Sequence, residues 1–559
     1  MRSPKSFCRR RFLLLLPILA VASPAGADDY LNARLNQDAT AEVQNEQQIV
    51  VNPANPENLV AVWRDFRLGY RQVAWAYTFD GGYSWSEGGL FQESNYPYQS
   101  DPGLTAARNG DFYAVILSFT STAEPNGLYV YRSIDGGVSW GAPSEVVNQV
   151  PNVFEDKEFI ACDRTGGAHD GNLYVAWSRF GATSTIVFRR STDGGGTWGP
   201  TYPVDDAGGS QFPIPVVGRN GDVYVAWGDY YNDVIKLDVS TDGGATFGTD
   251  RIVTGVYTVF TTINGGIDAY GSPQMDADIT DGPFAGRLYL AFMDRRGGAG
   301  DFDIWVTTSD DGGAHWTGAV RVNDDAMNNG RDQFLPWITV DDVGIATVVF
   351  LDRRDDPANL SYHCYLAQSG DGGATWSPNV RVSTAPSDPA HALRADPDRA
   401  AWAMDKGSGT IRAALPTVSR AGLLGEYIGV ACSGGYATPV WTDIRNLNQD
   451  TYAGYPLVKT AVAGSLPDAA GPSLTVAPHP LRAREPLSIR APFARGVLAL
   501  YDVRGRRVGA HLLDGAAMST AGLTAAALFG RDRSPAPGIY FLRLESPDGN
   551  ATARVVIVE

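Results

Sequence analysis

Cysteine is scarce in this chain. There are four in 559 residues: Cys8 near the start, then Cys162, Cys364 and Cys432 far apart. The three beyond Cys8, an odd set without close spacing, exclude a disulfide framework and a thiolate metal knuckle, and leave buried single thiols. The six histidines are scattered, with no His-x-His or His-Glu-x-x-His spacing, so nothing points to a metal or another cofactor. Beyond Phe12–Val21 no apolar run is long, and that run is itself too short to span a membrane as a helix. Basic charge is also short: the net charge is −17, and residues 1–27 carry five basic groups and no acids, which leaves −22 on the rest. Residues 474–559 are basic, with eleven arginines against seven acids, so residues 28–473 carry −26. Such a surface excludes nucleic acid and anionic membranes as natural partners. An anionic ligand would need arginines clustered locally against this field.

The first 27 residues read as a secretory signal. Arg9, Arg10 and Arg11 precede the apolar run, and Ala25-Gly-Ala27 offers a small-residue cleavage site. Cys8 lies before the apolar run and is not placed as a lipoprotein cysteine. The mature chain is expected outside the cytoplasm, secreted or on the outer surface of a bacterial cell.

What the chain has in abundance is one short pattern. It reads Thr78-Phe-Asp80-Gly-Gly82-Tyr-Ser-Trp85 and recurs around Asp135, Asp193, Asp242, Asp311 and Asp371. The steps from Asp to Asp are 55, 58, 49, 69 and 60 residues. Asp-Gly-Gly makes a turn that needs positive φ, which glycine adopts without steric cost. The carboxylate accepts hydrogen bonds from its own turn, and the closing Trp or Phe returns to the sheet. Each copy is therefore a hairpin clip. The pattern matches the Asp box, S/T-x-D-x-G-x-x-W/F, and the chain resembles the sialidase-like Asp-box β-propellers. The resemblance implies an all-β fold and a function in glycan recognition or glycoside hydrolysis.

Aligned on the boxes, each unit holds four strands, with second strands such as Leu59–Trp63, Leu173–Trp177 and Val223–Trp227 ending in an aromatic residue. A seventh unit, Glu426 to Gly454, lacks a box and a fourth strand. Arg34-Leu-Asn36-Gln-Asp38 resembles the fourth strand Arg321-Val-Asn323-Asp-Asp325. The N-terminal strand is therefore expected to complete the last blade, Arg34–Gln37 pairing near Asp450–Gly454 and removing the exposed sheet edges. Seven blades follow by this count; six, as in better-known sialidases, is the alternative. The propeller is expected over 28–459 and a linker over 460–473. A β module over 474–559 resembles type IX secretion sorting domains and the FlgD-like immunoglobulin-type fold, which implies secretion machinery as a partner. A monomer is expected.

The face opposite the boxes carries a second repeat at the end of the second strand: Asp65 with Arg67, Asp294 with Arg296, Asp352 with Arg354, and Asp443 with Arg445. Two readings are open. The arginines converge on a ligand carboxylate or sulfated sugar, or each Asp pairs with an Arg and ties blades together. First strands enter this face through Glu46 and Gln47, Asp101, Glu158, Gln211, Gln274, Asp332 and Gln333, and Glu426 and Tyr427, which places carboxylates, amides and one phenol at the channel mouth. Sialidases use three arginines, a tyrosine nucleophile with a glutamate base, and an aspartic acid/base. Their early Arg-Ile-Pro motif is absent here, and Glu426 with Tyr427 is the candidate catalytic pair. The long link Thr384–Leu424 is expected to fold over this mouth beside Arg354 and Arg445. The leading expectation is binding of an extracellular glycan or glycoprotein. Alternatives are an exo-sialidase-like hydrolase and an envelope scaffold that binds protein.

Overall fold

The structure is a computed structural model; it describes residues 30–120, 125–298, 300–392 and 424–457, with short strands further along as backbone. Seven four-stranded antiparallel sheets are arranged as the blades of a propeller. Their innermost strands, in order from blade 1, are Gln44–Asn52, Tyr98–Ala106, Phe154–Cys162, Ser210–Val217, Gln274–Ala277, Gln333–Val340 and Gly429–Ser433. Blade 7 is closed by the N-terminal strand Tyr30–Arg34, which runs antiparallel to Asp450–Pro456, with Arg34 opposite Tyr452. The ladder lies a few residues earlier than expected, because the Leu35–Asp38 stretch turns off the edge. Leu35 still donates its N–H to Thr451 O at 2.8 Å, and Asn36 reaches the Asp450 carboxylate at 2.9 Å.

The core lies between blades. Trp63, Trp177, Trp227 and Trp441, at the ends of second strands, are fully buried. Trp75 and Phe91 of blade 1 meet Trp140, the aromatic of the next blade's box. Phe188 of blade 3 likewise takes Phe247, with ring centroids 4.8 Å apart. Truncating such an aromatic to Ala costs about 3–5 kcal/mol.

Each box closes its own turn. Asp193 accepts from Ser191 Oγ at 2.7 Å, Thr197 N at 2.9 Å and Thr197 Oγ1 at 2.7 Å, and Gly194 and Gly195 have φ of 69° and 85°. The turn then docks on the preceding blade: Arg190 of blade 3 donates to Gly243 O at 2.8 Å, and Arg287 of blade 5 to Gly372 O at 2.7 Å. Asp80, Asp135, Asp242, Asp311 and Asp371 hold the same turn bonds.

At the C-terminus, five strands between Leu481 and Val558 form one sheet, and Thr475–Ala477 pairs with Ser488–Arg490. The signal, the linker and residues 393–423 of the long link lie outside the described residues, except for the strands Trp402–Met404 and Ile411–Ala413.

Candidate functional site

The axial site is built by one backbone device used five times. The innermost strands of blades 1, 2, 3, 4 and 6 each skip register at their entry, between Asn45 and Gln48, Ser100 and Gly103, Asp156 and Phe159, Gln211 and Ile214, and Phe334 and Trp337. Within each bulge one residue is left-handed: Glu46, Asp101, Lys157, Phe212 and Leu335, with φ between 48° and 59°. None is a glycine, and each such conformation costs about 1–3 kcal/mol unless its surroundings hold it. Bulges re-aim side chains; here they gather charged groups from blades 1, 2 and 3 in one place. Gly425 (φ 77°) brings blade 7 to the same point. A Cβ there would come within 2.6 Å of the Glu46 backbone nitrogen, so only glycine fits.

Lys157 is the hub. Its Nζ lies 2.7 Å from Asp101 Oδ2, contacts Glu426 Oε2, and lies 3.8 Å from Glu46 Oε1. Arg64 Nη1 meets Glu46 Oε1 at 3.1 Å, and its Nε donates to Asn45 Oδ1 at 2.8 Å. Ser100 Oγ donates to Asp101 Oδ1 at 2.6 Å. The Tyr270 hydroxyl donates to Glu426 Oε1 at 2.7 Å. Tyr270 ends a two-stranded hairpin, Phe260–Ile263 with Ile267–Tyr270, inserted between blades 4 and 5. The Glu158 carboxyl is buried and, among the described residues, finds no partner beyond its own backbone.

These surroundings drive the carboxyls apart. Glu46 is raised to about 8, first by burial and then by the Asp101 and Glu426 charges, against the pull of Arg64 and Lys157. Asp101 is also pushed up by burial, yet Lys157, Arg64 and the Ser100 hydroxyl outweigh this and hold it well below the usual range. Asp156 and Glu158 are raised well above it, by burial and by the neighbouring carboxylates. Burial disfavours the Lys157 cation, but its carboxylate neighbours raise it well above an ordinary lysine. The cluster thus sets one carboxyl drawn toward its ionised form beside carboxyls pushed toward their neutral forms, around an amine whose charge is favoured.

Tyr427 takes another role. Its hydroxyl donates to Pro102 O at 3.2 Å, and its ring packs on Phe159 and Trp337 at centroid distances of 5.2 and 6.4 Å. With Phe159 and Trp337 5.6 Å apart, the three rings form an aromatic plug on the axis. Of the adjacent pair Glu426 and Tyr427, only the glutamate joins the charged cluster, and the phenol that meets it is Tyr270.

The four Asp/Arg pairs are not brought together. Arg67 is bidentate to Asp65 at 2.9 and 2.7 Å and also contacts Glu87 of the outermost strand. Arg296 binds Asp294 at 2.7 Å and Gly255 O at 2.7 Å, on the outermost strand of blade 4. Arg354 binds Asp352 at 2.9 Å and Asn379 Oδ1 at 2.6 Å. Arg445 binds Asp443 at 2.8 and 2.7 Å, Asn32 Oδ1 at 2.8 Å and Thr384 Oγ1 at 2.9 Å. Each guanidinium reaches outward and ties its blade's outer strand or its neighbour's. Trp63 and Trp441 donate to the same aspartates at 2.9 and 2.8 Å. Among the described residues no His/Cys/Asp/Glu group has metal-site geometry.

No family model matches the chain, and no curated protein matches it. Among solved structures it is similar to a protein of unknown function from Dyadobacter fermentans, at 14% identity and TM-score 0.39 over 57% of this chain and 93% of that one. A GH93 α-L-arabinofuranosidase of Fusarium graminearum, solved with arabinobiose, matches at 14% identity and TM-score 0.40 over 58% of this chain and 93% of that one. The NanB sialidase of Streptococcus pneumoniae matches at 11% identity and TM-score 0.36 over 76% of this chain and 70% of that one. The propeller assignment rests on the seven sheets themselves.

Proposed function

We propose that this chain is a secreted propeller that engages an extracellular glycan at the axial mouth opposite the Asp boxes and cleaves a glycosidic bond there. One observation carries the proposal: Asp101 and Glu46, gathered on the same lysine, are pushed in opposite directions. Glycoside hydrolysis needs a protonated carboxyl to assist the leaving oxygen and an ionised one opposite it. Near neutral pH Glu46 keeps its proton for donation and Asp101 remains an anion. Lys157 holds the two in place, and Tyr270 fixes the Glu426 carboxylate. The module over 474–559 serves export or surface attachment in this reading, and the chain acts as a monomer without a cofactor.

Binding without turnover is the second reading. It is favoured by the ion pairs that already occupy Glu46, Asp101 and Glu426. A panel of 4-methylumbelliferyl glycosides, including a sialoside, separates the two when run beside a glycan array. The hydrolase reading expects one glycoside to be turned over and the activity to vanish in Asp101→Asn and Glu46→Gln at temperatures where each variant is still fully folded. Array binding without turnover supports the second reading. No turnover and no array binding overturn both.

A further inference from the structure

Beyond the aromatic plug, away from the charged cluster, lies a cavity that the axial chemistry does not use. It has a volume of about 300 Å³ and opens on the Asp-box face, among the ends of the innermost strands. That size lies at the lower end for small-molecule sites. Part of its wall is apolar, formed by Ile49, Ile160, Ile214, Met275, Trp337 and Ile338, and the rest is polar.

Two arginines stand at its rim, from adjacent blades. Arg108 follows the innermost strand of blade 2, and Arg164 follows that of blade 3. They share one corner: a Cβ on Gly166, two residues past Arg164, would lie 2.9 Å from Arg108 Nη1. Arg219 holds the corresponding turn of blade 4 and is paired there with Asp281. Among the described residues neither Arg108 nor Arg164 makes an ion pair with a carboxylate, whereas Arg67, Arg296, Arg354 and Arg445 on the other face each do. Three carboxylates also line the cavity, Asp276, Asp341 and Asp342; each accepts hydrogen bonds from nearby groups, and burial raises Asp276 while the Arg164 charge draws it back toward its ionised form. Asp276 accepts from Thr339 Oγ1 at 3.0 Å and Val340 N at 2.8 Å, and Asp341 from Gly435 N at 2.6 Å. Thr105 adds a hydroxyl beside the arginines, whereas Thr165 Oγ1 donates to Asp163 Oδ1 at 2.6 Å.

We propose that this cavity binds a small organic carboxylate, the anionic head on Arg108 and Arg164 and the apolar body against Ile160, Ile214 and Trp337. Two guanidiniums in a strongly acidic propeller suit a carboxylate head, which takes paired N–H donors. The apolar part of the wall, at Ile160, Ile214 and Trp337, suits a ligand with a hydrocarbon or aromatic body.

Calorimetric titration of the full chain with benzoate, benzyl alcohol and inorganic phosphate tests this. Saturable benzoate binding is expected, at least tenfold tighter than either control. Arg164→Gln and Arg108→Gln should each weaken it tenfold or more, with Arg164→Lys restoring part. Asp101→Asn, on the other side of the plug, should leave it unchanged. Absence of benzoate binding, equal binding of benzyl alcohol or phosphate, or indifference to both arginine variants would overturn the proposal. A variant that fails to fold is replaced by competition of benzoate binding with 0.5 M chloride (roughly a 4 Å screening length); unaltered affinity there would also overturn it.

Discussion

Lys157 Nζ sits 2.7 Å from Asp101 Oδ2, although the two come from different blades and both residues are left-handed. Both side chains are almost wholly buried, so each charge depends on the other for what water no longer supplies. Lys157→Met should destabilise the chain by about 3–5 kcal/mol, the range for stranding one member of a buried pair. Adding Asp101→Asn to it should recover at least ~1 kcal/mol, since contacting residues couple. Urea unfolding of the four proteins measures the cycle. Additive losses would show that the contact carries no coupling.

Glu46 predicts a pH dependence. Its folded pKa of about 8 lies above its ordinary 4.5, so the fold retains a proton that the unfolded chain releases. The associated stability is complete below pH 4.5, declines as pH rises through this window, and is gone above about 8. Asp156 and Glu158 act in the same direction. In Glu46→Gln the decline in unfolding midpoint between pH 5 and 8 should be visibly shallower. Identical slopes in wild type and variant would remove Glu46 from the account.

Ring closure is tested at Leu35, fully buried between the closing strand and blade 1. Leu35→Ala should cost about 2–5 kcal/mol. Removing residues 30–36 should cost more, because Asp450–Pro456 then becomes an unpaired edge and Arg445 loses Asn32. Thermal melts decide, and midpoints within a degree of wild type would contradict closure.

The boxes should behave as clips. Asp193, held down to about 2 by its turn's N–H and hydroxyl groups, is largely exposed, so solvent competes for its bonds. Asp193→Ala should cost about 1 kcal/mol, less than a buried hydrogen bond to a charged group because solvent screens this one. Its depressed pKa adds stability above pH 3.8 that fades as pH falls toward 2. Glycan binding and turnover should survive; their selective loss would give the box a functional role.

Much of this architecture was legible in the sequence. Six boxes set the blade spacing, and the Arg-x-Asn likeness between the chain's start and blade 5 pointed to closure at blade 7. Glu46, Asp101, Glu158 and Glu426 were legible as strand-entry residues at the mouth. Lys157 was not, because two-residue alternation hides a side chain that only a bulge turns to the axis. Tyr270 arrives on an inserted hairpin, and its trace was the 69-residue step between Asp242 and Asp311, the longest in the series. The Asp/Arg repeat named real partners, yet spacing could not say whether the guanidiniums point to the axis or to the outer strands. The expected cover over the mouth falls largely on residues 393–423, outside the described set.

The pairing of Tyr30–Arg34 with Asp450–Pro456 also dictates an order of assembly. The strand made first cannot find its place until more than four hundred further residues have emerged. Contacts of such sequence separation form late and slow the approach to the native state. Blades 1 to 6 are each built from strands consecutive in the sequence, whereas blade 7 needs both ends of the propeller. An incomplete chain therefore carries two open sheet edges, and only the whole one is sealed against joining its neighbours.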